Sequence, residues 1–338
     1  MKIIKYLLVL GLFFISISIV VVFNYFNKNF GYPPKLLINT ISTAYKLSKT
    51  TPDKINFLIL GTDIRDDWLE TSQDTDTIIL ASLDTKNYVV NLVSVPRDIW
   101  YSPINSRINK IYSQSLQSPN PIDFIKSKFN EITGQNIDYV LIINTDILSK
   151  LMDITGPVLV DLPYSFTDDQ YPDPNHISDP QNFPNPYITI SFEKGPNVID
   201  TKNIDYFVRS RKGADVQNGG TDLGRSARQQ LLIMALFDSL AKIDPIKNIK
   251  TFSTLYKLWS TQITKDITDT TLLSLIFKLN KNIINLSFKN ITIPIGLNSN
   301  DTNGVIYHPK YFSSNAWVYL PTKNDFSNLW QYLDGHLN

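Results

Sequence analysis

The longest hydrophobic run in the chain stands near its beginning: from Tyr6 to Asn27, 22 residues pass without a charged side chain. Wound into an α-helix rising about 1.5 Å per residue, such a run crosses the roughly 30 Å hydrocarbon core of a bilayer. Lys2 and Lys5 precede it with no acidic neighbour, which favours a cytoplasmic N-terminus and an outward-facing remainder, although Lys28 and Lys35 soften the bias. Its closing stretch, Val22-Phe-Asn-Tyr-Phe-Asn-Lys28, lacks the small-x-small pattern of a signal-peptidase site, so a retained anchor is expected. No later apolar run is long enough to span. The chain therefore divides into a cytoplasmic stub and transmembrane helix (1–27), a stalk (28–52) and an extracytoplasmic domain (53–338).

The stalk holds Gly31, Pro33, Pro34 and Pro52 around an apolar patch, Leu36 to Ile41, suited to lie against the membrane or the domain. Beyond it Ile55–Leu60, Thr77–Leu83 and Tyr88–Val95 read as strands, the first two nearly continuously apolar as in a sheet buried on both faces. The short polar Asp84–Asn87 makes the last two a hairpin, so the sheet is mixed. Ile122, Ile125, Phe129 and Ile132 give a helix over Pro121–Thr133 that stops at Gly134. Tyr139–Ile143 is another buried strand, and Asp146–Ile154 a helix ending before Gly156-Pro157. Alternation of this kind predicts an α/β fold. Pro163–Pro186, with six prolines and four aspartates and no periodicity, reads as a long loop, either a solvated insertion or the border of a site. Further helices are expected at Thr201–Phe207, Asp222–Ile243 with Thr221 as N-cap, Ile246–Trp259 and Thr270–Ile283, and a late strand at Ile291–Ile295.

With 338 residues, 43% of them hydrophobic, the chain can build a sizeable core, and it contains no cysteine, which removes disulfides, thiolate metal sites and thiol nucleophiles. A formal net charge of +1 provides no overall field for nucleic acid. Any anion site has to be local. The 32 basic residues comprise 25 lysines and seven arginines, namely Arg65, Arg97, Arg107, Arg209, Arg211, Arg225 and Arg228, confined to four short segments. A chain that fills ordinary cationic positions with lysine keeps arginine where a planar, bidentate, permanently charged fork is needed, as for phosphate. Arg65 and Arg97 follow strand ends, where ligands of α/β sheets sit, and Arg225 falls in the first turn of the long helix, where free N–H groups favour an anion. The competing explanation is that each arginine pairs with a carboxylate to hold a loop.

Asp63 in Gly-x-Asp and Asp76 in Asp74-Thr-Asp-Thr77 flank one strand–loop–strand connection, and converge if the strands are neighbours. Two carboxylates completed by water and phosphate oxygens are a common cradle for Mg2+ or Mn2+. Asp66, Asp67 and Glu70 in the connection read as solvated. Asp168, Asp169 and Asp173 match no calcium-loop spacing, and His176, His308 and His336 are too scattered for zinc or a serine triad.

In order and spacing, Leu60-Gly-Thr-Asp-Ile-Arg65, Asp74-Thr-Asp-Thr-Ile-Ile79, Ser94-Val-Pro-Arg-Asp98, Arg107-Ile-Asn-Lys-Ile-Tyr112, Tyr206-Phe-Val-Arg-Ser-Arg-Lys212 and Asp222-Leu-Gly-Arg-Ser-Ala-Arg-Gln229 resemble the LytR-CpsA-Psr family of cell-wall glycopolymer transferases. The resemblance runs from about Ile55 to Ile243. It implies a three-layer α/β/α domain with a central mixed sheet and an apolar tunnel for a polyprenyl chain. The activity implied is Mg2+-assisted transfer of a phosphate-linked glycan from a polyprenyl pyrophosphate carrier to a hydroxyl of peptidoglycan or another envelope acceptor. By the same resemblance Asp63 and Asp76 match the metal carboxylates, and Arg97, Arg209, Arg211 and Arg225, with Arg65, the pyrophosphate site. Arg228 and Gln229 match the tail of that motif, as phosphate ligands or as its support. Asp222 and Asp98 are both candidates for the base that takes the acceptor proton.

Three positions depart from the family pattern. Asp74 stands where the family has an arginine, Arg107 replaces a lysine, and the stretch from Lys212 to Thr221 is longer and rich in glycine. Two other activities share the expected pocket: hydrolysis of the pyrophosphate by water, and non-catalytic binding of envelope glycan or lipid. A transcriptional regulator is opposed by the outward topology, the balanced charge and the lack of a DNA-reading motif.

Overall fold

The computed structural model of the protein describes residues 24–63, 73–174, 186–212, 222–243, 247–312, 316–323 and 325–337. Most of the expected membrane span, Arg65 and the glycine-rich stretch from Gly213 to Thr221 lie outside those residues. Among the described residues no helix is long and apolar enough to cross a membrane.

In chain order the principal elements begin with helix α1 (Pro34–Ser48), strands β1 (Lys54–Thr62), β2 (Thr75–Asp84) and β3 (Val89–Ser94), helix α2 (Pro121–Thr133), strand β4 (Tyr139–Asn144) and helix α3 (Asp146–Thr155). They continue with strands β5 (Val158–Leu162), β6 (Phe166–Pro172), β7 (Tyr187–Phe192) and β8 (Gly195–Ile199), then helices α4 (Ile204–Arg209), α5 (Asp222–Ala241) and α6 (Ile249–Gln262). Strand β9 (Ile263–Lys265), helix α7 (Asp269–Leu279), strand β10 (Ser287–Thr292) and helix α8 (Ser327–Leu337) complete the set.

Six strands form the central sheet in the order β9-β4-β1-β2-β3-β10. The pairs β4–β1 and β3–β10 are parallel and the others antiparallel, the mixed sheet expected from the β2–β3 hairpin. Alternate residues divide the strands between two helical layers. Leu58, Leu60, Ile78, Leu80 and Val140 pack with Ile125, Phe129 and Ile132 of α2 and Leu329 and Leu333 of α8. On the other face Ile59, Ile79 and Leu92 meet Ile233 and Met234 of α5, while Ile55 and Phe57 meet Trp259 of α6 and Leu275 of α7. Helix α2 begins with Pro121, whose missing N–H costs nothing there, and ends at Gly134 with φ 66°, a left-handed residue that also lies under the Trp330 ring.

Four expectations change. Pro163–Pro186 is not a continuous loop, because Phe166–Pro172 forms β6 and pairs with β7; Phe166, Asp168 and Tyr171 face inward, but the ladder shifts register between Asp168 and Tyr171, so no period of two marks the strand. The stalk is largely helix α1, packed against α7 through Thr40 and Ala44, whereas Leu36, Ile38 and Ile41 of the apolar patch face outward. The helix expected at Thr201–Phe207 occupies Ile204–Arg209, because Asp200 and Asn203 form a polar turn before it. Helix α8 and the strand pair β5–β8 were not anticipated.

Candidate active site

The site is built around an irregularity in the β1–β2 ladder. Gly61 pairs with Thr77 but Thr62 pairs with Thr75, so Asp76 is an extra residue on β2, a β-bulge. A Cβ on Gly61 would lie 2.9 Å from Cβ of Thr77, closer than such atoms approach, which explains the glycine of Gly-x-Asp. The bulge turns the Asp76 side chain into a cavity of about 650 Å3, and Asp63, one residue past the end of β1, lines the same cavity. The strands are neighbours, and the two carboxylates line one cavity.

Five of the six described arginines line that cavity, namely Arg97, Arg107, Arg209, Arg211 and Arg225. Arg97 follows β3 and donates through Nη1 to Oδ1 of Asp76. Arg209, the last residue of α4, donates through Nη2 to Oδ1 of Asp63 at 2.8 Å and to Thr145 Oγ1 at 3.2 Å. From the first turn of α5, Arg225 reaches back to the backbone carbonyl of Asp76 at 3.1 Å. Gln229, one turn later, accepts from Thr77 Oγ1 at 2.8 Å and donates to the Val208 carbonyl at 3.0 Å. One bulge thus gathers residues from β1, β2, the turn after β3 and α5, and α4 closes the opposite side. The two explanations of the arginines merge: Arg97 and Arg209 each pair with a carboxylate, and both pairs border one cavity.

Asp98 is placed differently from the expected base. It is 4% exposed, does not line the cavity, and accepts from Arg107 at 2.7 Å with Nε of Arg97 at 3.6 Å. Its position suits orienting two arginines rather than receiving a proton from a substrate. Asp222 opens α5, and its side chain lies outside what is described. Arg228 is likewise not a cavity residue. It is fully buried, stacks 3.8 Å from the Phe166 ring centroid, and donates to the carbonyls of Phe207 and Ser210. Burial draws its pKa down to about 10, with neighbouring Arg225 adding to the fall, which still leaves it charged at neutral pH. Its contacts brace the Arg209–Arg211 backbone from beneath, so it supports the phosphate candidates instead of joining them.

Asp168 is the residue the sequence did not single out for this role. Buried at the cavity wall, its Oδ2 accepts the backbone N–H of Arg211 at 2.8 Å and of Lys212 at 3.1 Å, which fixes the chain that presents both cations. No regular alternation marked it in the sequence, because the β6 ladder shifts register between Asp168 and Tyr171. Asp74 pairs with Lys110 at 2.5 Å, so a cation does stand beside this position, supplied from another segment.

Among the described residues, seven cationic side chains and five aspartates line the cavity, an excess of positive charge within a nearly neutral protein. Among the described residues no trio of acidic or histidine side chains makes a self-sufficient metal cage. Asp63 and Asp76 nonetheless suit a hard cation, because they offer oxygen donors only and leave most ligand positions to phosphate and water, as Mg2+ prefers.

A mixed α/β/α sandwich with this arginine–aspartate cavity defines the class: the chain belongs to the LytR_cpsA_psr family, whose model matches residues 27–319. Among curated relatives, the polyisoprenyl-teichoic acid–peptidoglycan teichoic acid transferase TagU of Bacillus subtilis (strain 168) is 24% identical over 232 residues, 64% of this chain and 66% of that protein. The first relatives it matches are spanned over 54% to 66% of their own length. The fold is similar to the crystal structure of B. subtilis TagV, with a TM-score of 0.58 and 19% identity over 85% of this chain and 98% of that one. It is also similar to TagT bound to LIIa-WTA, with a TM-score of 0.53 and 18% identity over 84% of this chain and 89% of that one.

Proposed function

We propose that this protein is an extracytoplasmic, membrane-anchored phosphotransferase that moves a phosphate-linked glycan from a polyprenyl pyrophosphate carrier to a hydroxyl of peptidoglycan. The observation that carries the reading is the meeting of Arg97, Arg209 and Arg225 with Asp63 and Asp76 around one cavity. A pyrophosphate complements that arrangement: its oxygens would take the guanidinium forks, and the carboxylates so released would be able to hold a divalent cation. The names of TagU as a teichoic acid transferase and of the TagT complex support the choice of donor and acceptor.

In this reaction the acceptor oxygen attacks the glycan-proximal phosphorus, its bond to the bridging oxygen breaks, and polyprenyl phosphate departs with that oxygen and the electron pair. The acceptor proton passes to a base, for which Asp222 is the remaining candidate. Arg97, Arg209 and Arg225 hold the phosphates in line and neutralise charge that grows on the equatorial and bridging oxygens. Asp63 and Asp76 would hold Mg2+ or Mn2+, which supplies further neutralisation at the leaving oxygen. The apolar side of the cavity, with Val208, Tyr171 and Pro172, suits the first isoprene units.

The test is turnover of a polyprenyl pyrophosphate-linked glycan by the full-length protein. Arg97→Ala and Asp76→Ala should each lower kcat by about 100-fold or more while the melting temperature moves little. Wild-type turnover in both variants rejects the proposal. Release of free glycan phosphate in the presence of acceptor identifies a hydrolase instead.

A further inference from the structure

The phosphate site leaves unused a set of aromatic side chains near the C-terminus. Trp317 is 58% exposed and Tyr311 82% exposed, high values for side chains of this size. Trp317 does not hang free. Its indole lies on the His308 imidazole, with ring centroids 3.7 Å apart and planes 17° from parallel, and Nδ1 of His308 is fixed by the Val318 carbonyl at 2.8 Å. Tyr319 stands edge-on to both rings at 6.4 Å, and Phe312 meets Trp100 edge-on at 4.8 Å. The stack holds in one plane an indole that remains more than half open.

Backbone hydrogen bonds join this shelf to the phosphate site. Tyr319 forms a parallel bridge with Ile99; its N–H donates to the Asp98 carbonyl at 2.9 Å, and the Trp100 N–H donates to the Tyr319 carbonyl at 2.8 Å. Trp317–Tyr319 therefore runs alongside Arg97–Ile99 in the same direction, and Trp100 pairs in turn with the cavity-lining Arg107.

We propose that Trp317, backed by His308 and flanked by Tyr319, is a saccharide-stacking subsite that takes a pyranose ring of the glycan engaged at the phosphate site; this rests on the transferase reading above. A pyranose presents weakly positive C–H groups on its flat face, which complement the negative face of an indole, while its hydroxyls and N-acetyl groups stay hydrated at the edge. An aromatic plane held in advance offers that contact at little entropic cost. A bilayer interface also takes tryptophan and tyrosine. Here, however, the indole is backed by an imidazole and bonded through its strand to the segment that carries Arg97, which favours a sugar.

Donor and acceptor both carry pyranose rings, and binding to the full-length protein held in phosphatidylcholine nanodiscs separates them. One probe is peptide-free glycan strands from purified peptidoglycan, another a short-chain prenyl pyrophosphate disaccharide, and the third phosphatidylglycerol vesicles. Trp317→Leu keeps apolar bulk but lacks the aromatic face, and should weaken a saccharide probe by about tenfold, whereas Trp317→Phe stays within about threefold. Weakened disaccharide binding with unchanged strand binding is the expected result, and a loss confined to strands overturns the assignment to the glycan held at the phosphate site. Equal saccharide affinity in wild type and Trp317→Leu, or a loss confined to vesicles, overturns the proposal. A wild-type protein that binds strands without transferring glycan rejects the transferase reading alone.

Discussion

Gly61 and Arg228 show how residues outside substrate contact decide whether the site exists. Gly61 permits the close approach of β1 to Thr77 from which the Asp76 bulge follows. Gly61→Ala should cost about 1–3 kcal/mol in chemical denaturation and lower turnover with it, since relief of the clash moves Asp76. Arg228 leaves the carbonyls of Phe207 and Ser210 without their donor if it is removed. Arg228→Met is expected to lose about 1–3 kcal/mol for each buried carbonyl left unpaired. Arg225→Ala should instead keep most stability and lose activity, because its guanidinium reaches the cavity. Thermal unfolding of the two variants, compared with their turnover, checks that contrast. The sequence placed both arginines in one motif three residues apart, and their different neighbours separate their roles: Arg225 faces the bulge, Arg228 lies beneath α4.

At the scale of elements, the attachment of α1 to the domain is the least expected feature. Asp269, at the start of α7, accepts from Tyr32 Oη at 2.5 Å, Tyr256 Oη at 2.7 Å and Trp259 Nε1 at 3.3 Å, tying the segment before α1 to α6 and α7. Burial alone would raise the Asp269 carboxyl, but the three donors outweigh it and hold the group below its ordinary value of 3.8. A carboxylate depressed in the folded state contributes stability that is complete above its unfolded pKa and is lost as pH falls through the lower folded value. Acid should therefore loosen α1 from α6 and α7 below about pH 4, and Asp269→Asn should weaken that pH dependence. Hydrogen exchange in α1 across this range reads the effect directly; an unchanged acid response in the variant rules it out. The proline-bearing sequence 28–52 concealed this attachment, because its partners lie more than 200 residues away in the chain.

For the whole molecule, the central sheet is sealed by a helix far from it in sequence. Leu329, Leu333 and Leu337 of α8 are buried in the same core as Leu58 and Leu80, and Trp330 covers Gly134. Deletion of residues 325–338 uncovers that core and removes several large apolar side chains, each worth about 1.5–3 kcal/mol when fully buried. The truncated chain should fail to give a cooperative thermal transition, whereas the full chain gives one.

The sequence by itself determined the β1–β2–β3 meander, the helices α2, α3 and α5, and membership of the LytR_cpsA_psr family. Hydrophobic period, turn residues and the choice of arginine over lysine are local signals that survive without tertiary information. Only the tertiary structure decided which arginines share a cavity, that Asp98 and Arg228 act as supports, that Asp168 holds the Arg211 segment, and that α1 and α8 close the domain. Those outcomes depend on which distant segments become neighbours. Burial and hydrogen-bond partners, which assign a charged side chain to a ligand or to the framework, are properties of packing and not of spacing along the chain.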